Sequence, residues 1–322
     1  MHSPDKVGRD AGELCGLPPV GVVATNDVDE IIGLKPDVVS HMATGDLRPG
    51  EAVEEMARLL EAGINVVSTS VVSLIYPPAA PSRGMRDRLE AACQAGGSSC
   101  YTNGIDPGFA NDLMPLVLTG VCERVDSVRV TENLNYDTYD QAEVLFSTMG
   151  FGQPLDATPL LLLPGAITMA WGPVVHMIAA GLGVEIDEIE EWHERRPAER
   201  TFDISAGTVE EGTMAGLRFE VRGMIGGEPR IIVEHITRLD DAIAPDWPQP
   251  PGHGGYQIEI DGSPRLRCEL HMEGEDGDHN SAGLLVTAMR LLNAIPAICD
   301  APPGLLSTLD LPLVTGRGLL SS

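Results

Sequence analysis

From residue 20 to residue 122 short apolar runs alternate with amphipathic stretches in a regular strand–helix rhythm. Residues 20–24 and 36–41 predict strands, and residues 27–34 a helix between them, capped by Asn26 or Asp27. Residues 49–62 predict an amphipathic helix with Pro49 in its first turn and Gly63 at its end. Strands are expected at 64–69 and 98–102, on either side of a helix over 83–95 with Met85, Leu89 and Cys93 on its apolar face. Residues 107–118 predict a further helix with Pro107 in its first turn, which makes Asp106 most simply an N-cap. This alternation builds a parallel sheet with helices on both faces.

Past Cys122 the period changes. Strand patterns occupy 125–133, 186–204, 216–225 and 230–238, with Gly226-Gly227 as the turn between the last two. Residues 256–260 and 265–272 predict a hairpin around Asp261-Gly262. Helix is expected over 141–149 and through most of 160–183. Pro164, Gly165, Gly172 and Pro173 interrupt that second stretch, so it reads as a buried helical region rather than a membrane span. Residues 245–255, rich in Pro and Gly, predict a surface loop, a lid or a subunit contact. Asn280 or Ser281 is expected to cap a last helix over 282–294. The expected fold class is α/β: a truncated Rossmann-type doubly wound parallel sheet with a second α+β mixed-sheet domain.

The truncation follows from what is missing. No G-x-G-x-x-G loop precedes the first helix, although that loop normally holds the dinucleotide phosphates. If residues 20–24 are the third strand and 37–41 the fourth, the fourth is left with an unpaired edge. The expectation is a natural chain that starts about 30 residues upstream, the length of a strand, loop, helix and strand. The alternative is a shortened fold completed by a partner.

Composition narrows the chemistry. A net charge of −27 argues against nucleic acid or an anionic membrane as partner. Lysine occurs only at Lys6 and Lys35, which disfavours Schiff-base catalysis and excludes a Walker A loop. The six cysteines form no C-x-x-C pair and read as reduced thiols. With no secretory signal in the N-terminal residues, a cytoplasmic location is expected.

Three segments carry candidate chemistry. The turn Ala43-Thr44-Gly45 follows a strand, where ligands of doubly wound sheets bind. The segment Thr102-Asn-Gly-Ile-Asp-Pro-Gly-Phe109 runs from a strand into a helix and offers backbone amides to an anionic or carbonyl group. The run Thr131-Glu-Asn-Leu-Asn-Tyr-Asp-Thr-Tyr139 leaves a strand with Glu132, Tyr136, Asp137 and Tyr139 close together. That set suits an ammonium or imine, and equally a polar loop at a subunit interface. His176 lies in an apolar helix, either as a satisfied core histidine or as an acid–base group. His271-Met-Glu-Gly-Glu-Asp-Gly-Asp-His279 matches no metal-site spacing, and no metal is expected.

The segments Asp5-Lys-Val-Gly-Arg-Asp-Ala-Gly-Glu-Leu14, Ala62-Gly-Ile-Asn-Val-Val67, Thr102-Asn-Gly-Ile-Asp-Pro-Gly-Phe109 and Asn293-Ala-Ile-Pro296 resemble the dihydrodipicolinate-reductase-like proteins. Within that group the likeness is to the 2,4-diaminopentanoate dehydrogenases. It covers nearly the whole chain and begins after the family's second strand. It implies a dinucleotide-binding domain over 1–122, to which 280–322 returns, and a substrate and oligomerisation domain over 123–279. It further implies an NAD(P) cofactor, with Ala43, Thr44, Gly45, Thr102, Asn103 and Gly104 lining it. Lys6 and Arg9 would lie where a 2′-phosphate is read. Glu132, Tyr139 and His176 are then the catalytic candidates and Asp106, Tyr136 and Asp137 the substrate-binding ones. The implied activity is an NAD(P)-dependent oxidoreductase acting on a small amine, amino acid or imine, in a homodimer or homotetramer. The paired histidines and lysine of dihydrodipicolinate reductase itself have no counterpart here. The alternative is a non-catalytic binding or scaffolding protein that has lost its phosphate loop.

Overall fold

The computed structural model describes residues 4–43, 45, 48–250, 252 and 254–320. Strands β1 (Val38–His41), β2 (Asn65–Ser68), β3 (Ser99–Thr102) and β12 (Gly304–Leu306) form a parallel sheet in the order β1-β2-β3-β12. Helix α1 (Ala11–Leu14) and helix α2 (Val28–Gly33), capped by Asp27, precede it. Helix α3 (Pro49–Glu61) buries Ala52, Val53, Met56, Leu59 and Leu60, an apolar stripe at helical spacing. Helix α4 (Arg83–Gly96) is capped by Ser82, whose hydroxyl accepts from the Met85 N–H, and ends on Gly97 at φ 67°. The two helices pack closely enough that a Cβ on Gly96 would sit 1.8 Å from the Leu60 carbonyl oxygen.

Residues 20–24 do not form the predicted strand. Val20, Val22 and Val23 are exposed, and the segment makes one antiparallel bridge, between Asp10 and Val23. The Asp10 carboxylate gathers the N–H groups of Gly12, Glu13, Val20 and Gly21, and backbone hydrogen bonds join residues 22 and 24 to residues 8, 9 and 11, so the segment pairs with the residues before it rather than with the parallel sheet. Among the described residues, strand β1 therefore lies at the edge of the parallel sheet, paired with β2 alone.

The helix expected from residue 107 begins later, as α5 (Leu113–Thr119), capped by Asp112. Residues between Gly104 and Asp112 turn tightly instead. Gly108 has φ 151°, and a Cβ there would lie 2.0 Å from the Gly104 oxygen. Asp106 is thus free of cap duty.

The second sheet contains β4 (Arg124–Asn135), β5 (Glu188–Pro197), β8 (Met214–Ile225), β9 (Glu228–Arg238), β10 (Gly254–Ser263) and β11 (Leu266–Leu270), in the order β11-β10-β4-β9-β8-β5. Its pairs are antiparallel except β4 with β9. The strand pattern expected over 186–204 breaks after Pro197. Its end pairs separately, as β6 (Phe202–Ile204) with β7 (Gly207–Val209). The expected hairpin forms, with residues 256–260 paired to 266–270, but its connection is longer than Asp261-Gly262: it spans 261–265, and Asp261-Gly262 makes a bulge against β4. Helix α6 (Ala166–Leu182) covers one face of this sheet, with Val174, Val175 and Ile178 in the core. Gly223 makes room for it, since a Cβ there would lie 2.6 Å from Val175 Cγ1.

Much of the loop over 245–250 is anchored. Trp247 is 3% exposed, and the Pro248 carbonyl accepts from Asn133 and Arg238. Helix α7 (His279–Leu292) is capped by Asp278 rather than by Asn280 or Ser281. With α8 (Ile295–Asp300) and β12 it packs on the parallel sheet, through Val67, Tyr101, Leu291, Ala294, Ile298 and Leu306. The stretch His279–Asp300 is apolar and long enough to cross a membrane by composition. Within it, however, Asn280 and Arg290 are buried in hydrogen-bond networks of the protein.

Candidate active site

One rung of the mixed sheet runs Tyr256–Glu132–His235–Phe219 across β10, β4, β9 and β8. Residues paired in register share a face, so four unrelated sequence positions become neighbours. The loop after β3 brings Asp106 over this rung. One atom each from Asp106, Glu132 and His235 lies within 4.8 Å of the others.

Glu132 and one oxygen of Asp106 have defined partners. The Tyr136 hydroxyl donates to Glu132 Oε1 at 2.9 Å and the Tyr256 hydroxyl to Oε2 at 2.6 Å. Trp171 Nε1 donates to Asp106 Oδ1 at 2.7 Å and Asn111 Nδ2 to the same oxygen at 2.5 Å. Asp106 Oδ2 and His235 Nε2 are 3.0 Å apart, an ion-pair distance, but lie off the hydrogen-bond line. Asp106 Oδ2 and both His235 nitrogens are therefore buried without a hydrogen-bond partner among the described residues. The imidazole stacks on Phe219 at 4.5 Å and meets Trp171 at 4.6 Å.

Burial and the charge of Asp106 push the Glu132 carboxyl above the ordinary range, with His235 and the two phenols pulling it back. Burial pulls the His235 imidazole down, yet Asp106, Glu132 and Glu234 together lift it above its usual value. Burial and Glu132 raise Tyr136 and Tyr256 well above the phenol range, so both remain donors. The cluster is a desolvated set of two carboxylates and an imidazole, with three buried polar atoms that lack a hydrogen-bond partner among the described residues. Such a set can hold a cationic nitrogen or pass a proton.

A second feature lies at the carboxyl edge of the parallel sheet. His41, Ser68 and Thr102 end β1, β2 and β3 and are paired across the sheet. The Ser68 hydroxyl donates to the His41 carbonyl, the Ser70 hydroxyl to the Ala43 carbonyl, and the Asn103 N–H to the Ser68 carbonyl. The loops bearing Ala43 and Asn103 thus share one edge. The Thr102 hydroxyl is buried there without a hydrogen-bond partner among the described residues. Gly45 packs on Ser70, where a Cβ would approach to 2.8 Å. Thr44 lies outside the described residues. Gly104 adjoins Thr287. The Asn103 side chain is occupied: its amide donates to Asp112 and its carbonyl accepts from Arg290.

The structure brings Glu132, Asp106 and Tyr136 together and sets the other candidates apart. Tyr139 meets the Tyr136 ring at a tilt, with centroids 5.0 Å apart, and lines a neighbouring hollow of about 320 Å³. Asp137 is half-buried beside it, its carboxyl raised by burial. His176 lies on α6 in a separate hollow with Tyr76 and Glu185, its imidazole lowered by burial. Sequence reasoning missed His235, Trp171 and Tyr256. The one available signal was Glu234-His235, two adjacent polar residues inside the apolar run 231–236.

Comparison with known proteins gives a consistent result. Residues 109–318 match the family described as the 2,4-diaminopentanoate dehydrogenase C-terminal domain. The chain is 42% identical over 325 residues to an amine dehydrogenase of Streptomyces virginiae, covering 99% of this chain and 90% of that protein. It is 24% identical to the 2,4-diaminopentanoate dehydrogenase of Acetoanaerobium sticklandii, over 88% of this chain and 78% of that one. Its fold is similar to the solved amine dehydrogenase of Mycobacterium smegmatis, with TM-score 0.79 at 23% identity, over 98% of this chain and 88% of that one. From residues 109–318 and from likeness along nearly its whole length, the chain belongs to the 2,4-diaminopentanoate dehydrogenase family of oxidoreductases.

Proposed function

We propose that this protein is an NAD(P)-dependent dehydrogenase that interconverts a small primary amine with its imine and, through water, the carbonyl compound. The observation that carries this reading is the buried Asp106–Glu132–His235 cluster, where the unpartnered Asp106 Oδ2 suits an ammonium or iminium group and one imidazole nitrogen beside it can take a proton. The two named relatives, an amine dehydrogenase and a diaminopentanoate dehydrogenase, support it.

When bound, a nicotinamide would supply the hydride acceptor for the amine-bearing carbon. Thr102 and the Ala43 and Asn103 backbones fit the nicotinamide end of the cofactor. The described residues include no glycine-rich phosphate loop. The protein's own part is positioning and proton handling. Asp106 Oδ2 holds the nitrogen, and His235 beside it takes the proton released as the amine becomes reactive. Glu132, fixed by Tyr136 and Tyr256, sets the charge that keeps the imidazole basic. Tyr139 and Asp137 border the approach, and His176 stands outside the mechanism. A homo-oligomer, with the mixed sheet as its contact, remains part of the proposal. Trp192, 36% exposed between Arg218 and Arg222, supports a contact on the face opposite α6.

The test follows reduced nicotinamide by absorbance with NAD or NADP and a panel of small primary amines, and in reverse with ketones plus ammonia. Turnover with an amine that Asp106→Asn abolishes is the expected result. A panel without nicotinamide-linked turnover, together with no cofactor binding by calorimetry, overturns the reading.

A further inference from the structure

Helix α7 touches both loops that build the cluster, from opposite ends. In its first turn, His279 Nε2 lies 2.5 Å from the Asn135 carbonyl oxygen. Asn280 Nδ2 donates to the same oxygen at 3.0 Å and to Thr138 Oγ1 at 2.7 Å. These bonds clasp the segment that carries Tyr136, and through Tyr136 they reach Glu132. Two turns further on, Thr287 Oγ1 accepts from the Ile105 N–H at 3.2 Å, immediately before Asp106. Arg290 then reaches Asn103 Oδ1 at 3.2 Å and the Tyr101 hydroxyl at 2.9 Å, holding the start of the same loop. Residues 279 and 290 are separated by about 16 Å of helix, whose length is fixed by its own hydrogen bonds.

We infer that α7 is a strut that sets the spacing between the Asp106 loop on the parallel sheet and the Tyr136 segment on the mixed sheet, with Thr287 as a positioning residue. This rests on the proposed amine chemistry for its kinetic consequence, though not for its geometry. Thr287 touches neither the cluster nor the carboxyl-edge hydroxyls; it acts by fixing the Ile105 N–H. Reactive geometry is sensitive to displacements near 1 Å, which cost up to about a hundredfold in rate.

The pair Thr287→Val and Thr287→Ser tests this, because valine keeps the shape and removes the acceptor while serine keeps the acceptor. Thr287→Val is expected to lower kcat about tenfold or more with the amine KM little changed. It should also increase the temperature dependence of the isotope effect seen with an α-deuterated amine. Thr287→Ser should restore both. Independently of turnover, Thr287→Val should speed hydrogen exchange at the Ile105 amide and shift the His235 imidazole titration by NMR. If wild-type protein turns over no amine, those two readouts still decide the strut while the functional reading falls alone. Should Thr287→Val fold poorly, Asn280→Ala, at the other end of the helix, is expected to show the same kinetic split. A Thr287→Val protein with wild-type kcat, isotope effect and His235 titration overturns the inference.

Discussion

Glu132 and His235 face each other across β4 and β9, the parallel pair within an otherwise antiparallel sheet. The register places a carboxylate and an imidazole on one buried rung, and Asp106 closes the set from the other sheet. Neither strand would place them so alone.

Removing the Glu132 charge tests the cluster first. Glu132→Gln keeps an acceptor for one phenol and removes the carboxylate, so kcat is expected to fall by about 10²–10⁴-fold, the range of acid–base and positioning losses. Steady-state kinetics with the best amine check this. Unchanged kcat would remove Glu132 from the mechanism.

The pH dependence of stability should follow the same groups. Glu132 and His235 both have raised folded-state values, so the stability they contribute is full below their unfolded values and is lost as pH rises through the folded ones. The window opens above the usual carboxylate range for Glu132 and above 6.5 for His235. Urea unfolding across mildly acid to neutral pH should show stability falling, with a shallower slope in Glu132→Gln. An identical slope in both proteins counts against the assignment.

Glu55 should act in the opposite sense. Arg48, and then a hydrogen bond to His41, hold its carboxyl at about 2, so its contribution is present above 4.5 and lost as pH falls through about 2. Acid titration of unfolding should show Glu55→Gln without this acid-side loss.

Two glycines of α4 should respond in opposite directions. A methyl group on Gly84 would meet no atom within 4 Å, so Gly84→Ala should stabilise by about 0.5–1 kcal/mol. Gly96→Ala would drive a methyl into the Leu60 carbonyl at 1.8 Å and should cost several kcal/mol, on the order of 3 or more. Thermal melts of the two variants decide.

The buried Arg290 carries structural weight of its own. Arg290→Met leaves Tyr101 and Asn103 without a donor and should destabilise by about 2–4 kcal/mol. A denaturant midpoint equal to wild type would contradict this.

Local pattern sufficed for much of the parallel half. α3, α4, β2 and β3 lie within a residue or two of their expected bounds, because apolar spacing, Pro49 and Gly97 act through near neighbours. Residues 20–24 had the composition of a strand but bridge residues 8–11 with their valines exposed instead of joining the parallel sheet, and periodicity does not choose a partner. Asp106 read as a cap since proline after it suits a helix start. The fit of Gly108 against Gly104 bent the chain instead and freed the carboxylate.

What the sequence determined alone was the alternation of elements, the acidic surface, the absence of a glycine phosphate loop and the polar run from Glu132 to Tyr139. What only the tertiary structure decided was which of those polar groups meet. Asp106, Trp171, His235 and Tyr256 are separated by tens of residues and become one cluster through strand register and the packing of α6. Register is fixed by the burial of whole faces, a property of the assembled sheet rather than of any one segment.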